Sequence, residues 1–362
     1  MATMTDGFSC EIDSVTKHGW HKILQLFEDS HYCQSWSYGA SLWGSNNLSH
    51  LILRQNGQIT GAAQVSIKRI PVLSVGIAYV KWGPMWRIRG QVSRLETYRN
   101  LICAIREEYA GRRKLLLRVM PRELGGSVSQ LSDLLADEGF NRQSDSGGTW
   151  LIDLSRPVDA IHANLKRKWR ACLTQAESRN IEITEADRSK GLNLFFGLYE
   201  EMRKRKAFHD VSDIGHFRQI QADLPDPLKL RIFNACYRGE PVATTALSTF
   251  GSTGVAVFGA TSPKGLRVGA SYALDWWIVR WLKQQGHRSY DLGGAGDPNV
   301  NIYKSGLAGG NIQPVNFIGK FDYCTSPASL LVVRAGDACR AVHKLGSQRV
   351  AMRLRKQRMV KS

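Results

Sequence analysis

The sequence lacks the hallmarks of several protein classes. It has no run of about 18 apolar residues, so no transmembrane helix is predicted. Its start, "MATMTDGFSC", has no basic segment followed by an apolar block, so we expect no secretory signal and a cytoplasmic protein. Neither G-x-G-x-x-G nor G-x-x-x-x-G-K-[ST] is present, which removes the usual sequence support for NAD-linked redox chemistry and for nucleotide hydrolysis.

Cysteine is sparse and scattered. There are seven cysteines, an odd number, with no C-x-x-C pair and no histidine at ligand spacing. We therefore expect no disulfide framework, no metal site and no bound cofactor, so any small molecule that the protein uses is a co-substrate.

Negative charge is also scarce, because 49 Lys and Arg face 31 Asp and Glu, giving a formal charge of +18. Residues 329–362 contain nine Lys or Arg against Asp337 alone. The apolar spacing in this tail suits one or two basic amphipathic helices. Phosphate groups, nucleic acid and the anionic inner face of a membrane are the partners that such a charge favours.

The sequence contains an internal repeat. The segments "NGQITGAAQVS" at 56–66 and "RGEPVATTALS" at 238–248 each place a tight turn before a strand of small residues, which predicts a hairpin. The segments "VGIAYVKWGP" at 75–84 and "TGVAVFGATSP" at 253–263 each predict a further strand that ends at a Gly or Pro breaker. One unit of structure therefore occurs twice.

In each half a long helix and another short strand follow, with the helices at about 91–110 and 268–285. This order predicts an α/β (α+β) protein with mixed sheets flanked by helices. We expect domains at 1–155 and 156–325, joined rigidly because no flexible spacer separates them, and a basic helical tail at 326–362.

Several segments resemble the FemABX-like branch of the GNAT acyltransferase superfamily, over about residues 20–322. They include "CQSWSYGASL" from 33, "YVKWGPMW" from 79 and "NLKRKWRACLTQAESRNIEI" from 164. The most specific is "YDLGGAGDPNVNIYKSGLAGG" from 290, with an Asp-Leu-Gly-Gly turn, an aromatic-Lys pair and a Gly-Gly end. The resemblance implies two tandem GNAT-like domains and transfer of an acyl or aminoacyl group to an amine.

Two departures from the family bear on the donor. No lysine lies close to "SWSYGA", and the chain is too short for the helical hairpin that some members insert in the second domain. We therefore expect an N-acyltransferase that uses acyl-CoA and an amine of a small molecule or of a cell-envelope or polysaccharide precursor. An aminoacyl-tRNA-dependent peptidoglycan-precursor aminoacyltransferase is the alternative, and a non-catalytic RNA- or membrane-binding GNAT protein is the alternative of another class.

The resemblance implies that Lys304 contacts the reacting acyl ester, with Tyr303 as its aromatic partner. A lone lysine among glycines suits stabilisation of an oxyanion. Asp291 and Asp297 are the candidates for a base, although Asp291 also suits an Asx-type turn that holds the loop. His209 titrates near neutrality and is a weaker candidate.

The resemblance implies that carrier phosphates bind where a strand meets the start of a helix, where backbone N–H groups are unpaired. The segment "SPKGLRVGAS" from 262 occupies such a junction and offers Lys264, Arg267 and Gly269 as donor-binding candidates.

For the acceptor we select Arg167 and Arg170, which lie on the polar face of an amphipathic helix, and Trp36 and Trp82 of the two Trp motifs. A basic run at 203–206 adds four more positive charges.

Overall fold

The computed structural model describes residues 7–70, 74–122, 128–143, 147–186, 190–206, 214–294, 298–310 and 312–342. In these ranges the chain forms two mixed seven-stranded sheets with helices on their faces. In spatial order the first sheet contains β1 (Phe8–Ile12), β2 (Leu48–Gln55), β3 (Gln58–Arg69), β4 (Gly76–Lys81), β5 (Leu116–Met120), β14 (Phe321–Tyr323) and β6 (Asn141–Arg142). The second contains β13 (Val315–Asn316), β7 (Gly148–Asp153), β12 (Ser289–Gly294), β11 (Thr253–Thr261), β10 (Glu240–Ser248), β9 (Arg231–Tyr237) and β8 (Glu182–Glu185).

The helices of the first half are α1 (Lys17–Gln25), α2 (Trp36–Trp43), α3 (Leu95–Ile105) and α4 (Val128–Asp137). Those of the second half are α5 (Val158–Asn164), α6 (Arg167–Glu177), α7 (Lys190–Lys206), α8 (Ile214–Asp223), α9 (Pro263–Val268), α10 (Ala270–Gln284) and α11 (Pro298–Ala308). A final helix, α12, covers 327–342. A π-helical segment, Arg106–Arg112, continues α3, and short 3-10 turns lie at Tyr32–Gln34, Ser45–Asn47 and Asp226–Leu228.

The predicted repeat is confirmed. Each half has an antiparallel hairpin, a third antiparallel strand, a helix and then a strand parallel to the third. The turns Asn56–Gly57 and Arg238–Gly239 both have positive φ at their two central residues, as a type I′ hairpin turn requires. The two long helices also form where the apolar spacing predicted them, as α3 and α10.

The domains exchange strands at their ends. Strand β7, which precedes the expected boundary at 155, pairs with β12 in the second sheet. Strand β14, which lies before 325 and within the expected second domain, pairs with β5 in the first sheet. The chain therefore crosses to the second sheet between β6 and β7, before residue 155, and returns to the first between β13 and β14, before residue 325.

The two halves also share a hydrophobic core. One buried cluster joins Trp20 and Tyr38 of the first half to Phe195 and Phe217 of the second. Next to it, the carbonyl oxygen of Glu28 accepts the N–H of Ser252 at 2.7 Å. This packing agrees with the rigid joint expected from the sequence.

Helix α12 provides the described part of the basic tail, and residues 343–362 lie outside the described residues. Of the helices in the described ranges, none is long and apolar enough to cross a bilayer.

Candidate active site

The two sheets differ where their parallel strands meet. In the first, β4 pairs with β5 from Ile77 to Lys81, the end of β4. In the second, β11 pairs with β12 only from Thr253 to Val255. Beyond that point β12 stays with β7 while β11 continues beside β10. The second sheet therefore opens between two adjacent strands, and the first does not.

A cleft of about 280 Å³ lies at this opening, between the domains. The first half contributes His31, Trp82 and Arg122, and the second contributes Asp291 and Phe317 together with the carbonyl-bearing turn at 293–294. The rings of Trp82 and Phe317 lie 4.5 Å apart, centroid to centroid. The cleft thus has an aromatic wall, a charged wall and a backbone wall.

Asp291 is buried and fully engaged. Its Oδ2 accepts from Nη2 of Arg122 at 2.6 Å. Its Oδ1 accepts the N–H of Gly293 at 2.8 Å and the hydroxyl of Thr149. The Gly293 contact is the Asx-type turn considered from the sequence, and it fixes a glycine with φ of 78°. With both oxygens occupied, this carboxylate is placed to hold the turn and is poorly placed to take a proton from a substrate.

Lys304 extends from α11 to the same turn. Its Nζ donates to the carbonyl oxygens of Gly293 at 3.0 Å and Gly294 at 2.8 Å. Burial lowers the pKa of Lys304 from its usual value. An ammonium has three N–H donors, and the third has no partner among the described residues. Lys304 is therefore bound to the turn that lines the cleft, although it is not itself one of the lining residues.

Tyr303 has a different environment from its neighbour. Its hydroxyl lies 2.8 Å from Oδ2 of Asp275 and 2.9 Å from the carbonyl oxygen of Ser271, both on α10. Burial raises the pKa of Asp275 to about 6 and also raises the pKa of Tyr303. Tyr303 thus holds α11 against α10. Any effect of Tyr303 on a reaction would be indirect, because Tyr303 helps to position Lys304.

The donor-binding candidates lie away from the cleft lining. The ammonium of Lys264 forms an ion pair with Glu240. Gly269 caps the start of α10 with φ of 70°, and a Cβ built there would lie 3.3 Å from the Cβ of Ala176 on α6. Arg267 lies beside this contact with an exposed side chain. The start of α10 is therefore covered by α6.

The acceptor candidates separate into three places. Trp82 lines the cleft. Trp36 stacks on His50 at 4.1 Å in the first half. Arg167 is exposed on α6, and Arg170 nearby donates to the carbonyl oxygen of Ala163 at 3.2 Å. Asp297 and His209 lie outside the described residues.

Three contacts between residues far apart in the sequence could not be predicted from sequence patterns. Arg122 and Thr149 reach Asp291 from 169 and 142 residues away. Lys81, at the end of β4, bonds the hydroxyl of Tyr38 and lies 4.8 Å from the centre of its ring. Tyr38 belongs to the "SWSYGA" motif, so a lysine does lie beside this motif in space.

Comparisons with known proteins agree with this architecture. Residues 160–305 match the sequence profile described as an acetyltransferase (GNAT) domain. A search of curated proteins found no significant match. The crystal structure of FemX superimposes with a TM-score of 0.73 at 15% identity, covering 90% of this chain and 99% of that one.

Two further structures share the fold. A conserved protein of unknown function from Bacteroides thetaiotaomicron has a TM-score of 0.55 at 11% identity, covering 87% of this chain and 99% of that chain. The C-terminal domain of a protein described as a lysylphosphatidylglycerol synthetase from Agrobacterium fabrum has a TM-score of 0.51 at 13% identity, covering 82% and 91%.

Proposed function

We propose that this chain, whose residues 160–305 match an acetyltransferase (GNAT) domain and whose fold is shared with FemX, transfers an activated acyl group to an amine in the cleft between its domains. The observation that carries the proposal is the ammonium of Lys304, held by the carbonyl oxygens at 293 and 294 beside that cleft. Ligands of open α/β sheets bind at the carboxyl ends of separating strands, where this cleft lies.

In the proposed reaction, the amine nitrogen attacks the carbonyl carbon of the donor and forms an oxyanion. The third N–H of Lys304 stabilises this negative charge, and since two carbonyl dipoles already orient the ammonium, little reorganisation is needed. The new C–N bond remains, the bond from carbon to the carrier breaks, and the carrier takes up the electron pair. The attacking amine loses its proton to water, because the oxygens of Asp291 are occupied.

We propose an aminoacyl ester, such as aminoacyl-tRNA, as the donor, in place of the acyl-CoA favoured by the sequence. Gly269 does not line the cleft, and α6 packs on it at the start of α10, which disfavours a CoA pyrophosphate bound there. Lys81 beside Tyr38 also supplies the lysine whose apparent absence argued against the aminoacyl-tRNA enzymes. In addition, Lys166 donates to the hydroxyl of Ser305, so the basic start of α6 packs on the helix that carries Lys304 and offers positive charge to a phosphate backbone.

For the acceptor we propose the amine of a cell-envelope precursor. The aromatic pair Trp82 and Phe317 gives the cleft an apolar wall that suits a bulky acceptor better than a small polar amine. A structural relative is described as a lysylphosphatidylglycerol synthetase, which is in keeping with an envelope substrate.

The test uses purified protein with charged tRNA, with uncharged tRNA and with a set of CoA thioesters. Binding is followed by thermal shift, since a ligand that favours the folded state raises Tm. Transfer is followed as the movement of a labelled amino acid from the tRNA to hydroxylamine, which serves as a surrogate amine. The enzymatic rate is the rate above that of the uncatalysed reaction. We expect charged tRNA to raise Tm and Lys304→Met to lower the rate by about 100-fold or more.

Lys283→Met is the matched control, because its Nζ also donates to a backbone carbonyl, that of Leu154 at 2.8 Å, away from the cleft. A Lys304→Met protein as active as this control would refute the assigned site. A Tm shift with CoA thioesters alone would refute the donor but leave the site. RNA binding without any transfer would favour the non-catalytic alternative.

A further inference from the structure

Helix α12 is docked on the first domain through one side only. The hydroxyl of Ser329 is buried, donating to the carbonyl oxygen of Lys114 at 2.7 Å. Val333, one turn later, is also buried. After a further turn, Asp337 forms an ion pair with Arg118 at 2.8 Å. These contacts, at i, i+4 and i+8, fix which side of the helix faces outward.

The outward side carries an apolar stripe. Leu331 and Val342 are 69% and 70% exposed, and Ala335 and Ala338 between them are also exposed. The spacing i, i+4, i+7 and i+11 places all four on one face of a helix. Arg334, also exposed, flanks the stripe. An exterior helix normally presents polar residues to water, so this face is built to meet a partner.

The charge of this region identifies the partner. Residues 329–362 carry nine Lys or Arg and one acidic residue. A second copy of the chain would bring another segment with the same excess of positive charge and be repelled. RNA would match the charge but leave the apolar stripe in water. An anionic lipid surface satisfies both, because apolar side chains enter the boundary of the acyl chains while cations remain among the phosphates.

We propose that the outward face of α12 binds the surface of an anionic membrane, with the protein body held on the other side of the helix. The inference does not depend on the acyl-transfer activity. It also explains why an apolar stripe and a cluster of cations occur on the same segment.

The test is co-sedimentation of the full chain with vesicles of phosphatidylglycerol and phosphatidylcholine, against vesicles of phosphatidylcholine alone. We expect binding to the anionic vesicles only, weakened but not abolished by salt. Replacing both Leu331 and Val342 by Ser should lower the partition coefficient about tenfold or more. The change Arg334→Glu should lower it about fivefold or more, because it reverses a charge near the lipid phosphates.

Val92→Ser is the matched control, since Val92 is 90% exposed at a different place on the first domain. It should bind vesicles as the parent does, and all variants should keep the parent Tm. The proposal is overturned if the double Ser variant binds like the control or if the parent does not bind anionic vesicles. It is also overturned if the stripe changes instead abolish self-association or tRNA binding.

Discussion

The buried ion pair between Arg122 and Asp291 makes a quantitative prediction, because it joins the two halves beneath the candidate site. The side chains are only 10% and 4% exposed. The change Arg122→Met keeps much of the apolar stem but leaves the carboxylate with neutral donors alone. Removing one partner of such a pair costs about 3–5 kcal/mol. At about 2.1 cal/mol/K per residue the unfolding entropy is about 0.76 kcal/mol/K, so Tm should fall by about 4–7 °C.

The assay is thermal unfolding of Arg122→Met, Asp291→Asn and the double variant. Each single change strands a buried partner, so the double variant should lose less stability than the sum of the two. The exposed pair of Arg203 and Glu200 provides a control, because Arg203→Met should cost no more than about 1 kcal/mol. Losses that add to within about 0.5 kcal/mol would refute the coupling. Since Asp291 also positions the turn that holds Lys304, Arg122→Met should slow transfer by about tenfold or more.

Two further predictions concern stability. Burial lowers the pKa of His50 to about 4, so on acidification the unfolded chain takes up a proton before the folded chain does. Tm should therefore fall as the pH drops from about 6.5 towards 4, and His50→Gln should flatten this dependence of Tm on pH. An unchanged dependence in the His50→Gln variant would contradict the assignment. A Cβ at Gly251 would lie 2.3 Å from the carbonyl oxygen of Glu28, so Gly251→Ala should strain the contact between the two halves and lower Tm. Gly197 is exposed within α7 and has open space around it, so Gly197→Ala should leave Tm equal or raise it. Equal effects of the two changes in a thermal scan would contradict the close contact at Gly251.

The repeated unit was predictable because its signals are local. A turn such as Asn56–Gly57 adopts positive φ whatever surrounds it, and alternation or helical spacing identifies the next element from a few residues. The resemblance also located the segment at 290–310, in which Lys304 and Asp291 both bond Gly293. Local chemistry was thus enough to find the elements and the central loop.

Contacts between distant segments were not predictable from the same signals. Strand β14 is only three residues long, and nothing in Phe321–Tyr323 states which sheet it joins. The expectation that no lysine accompanies "SWSYGA" counted positions along the chain, whereas Lys81 reaches Tyr38 from the neighbouring Trp motif. The packing of α6 on Gly269, at the start of α10, is likewise a contact between distant segments that no local signal predicts.

The residues that the first domain contributes to the cleft lie at one edge of its sheet, so the single site is built from both copies of the unit. Lys81 ends β4, Trp82 follows it, and Arg122 lies just after β5, so all three come from the edge where a GNAT-like sheet would open. In this domain the two strands stay paired, so no opening forms there. The same edge instead faces the opening of the second sheet, and Trp82 and Arg122 complete its cleft. The first sheet thus has no opening of its own here, and residues at its strand ends form a wall of the cleft in the second. An isolated second domain would therefore lack Arg122, the charged partner of Asp291, and Trp82 of the aromatic wall, and the shared core makes such a separation costly.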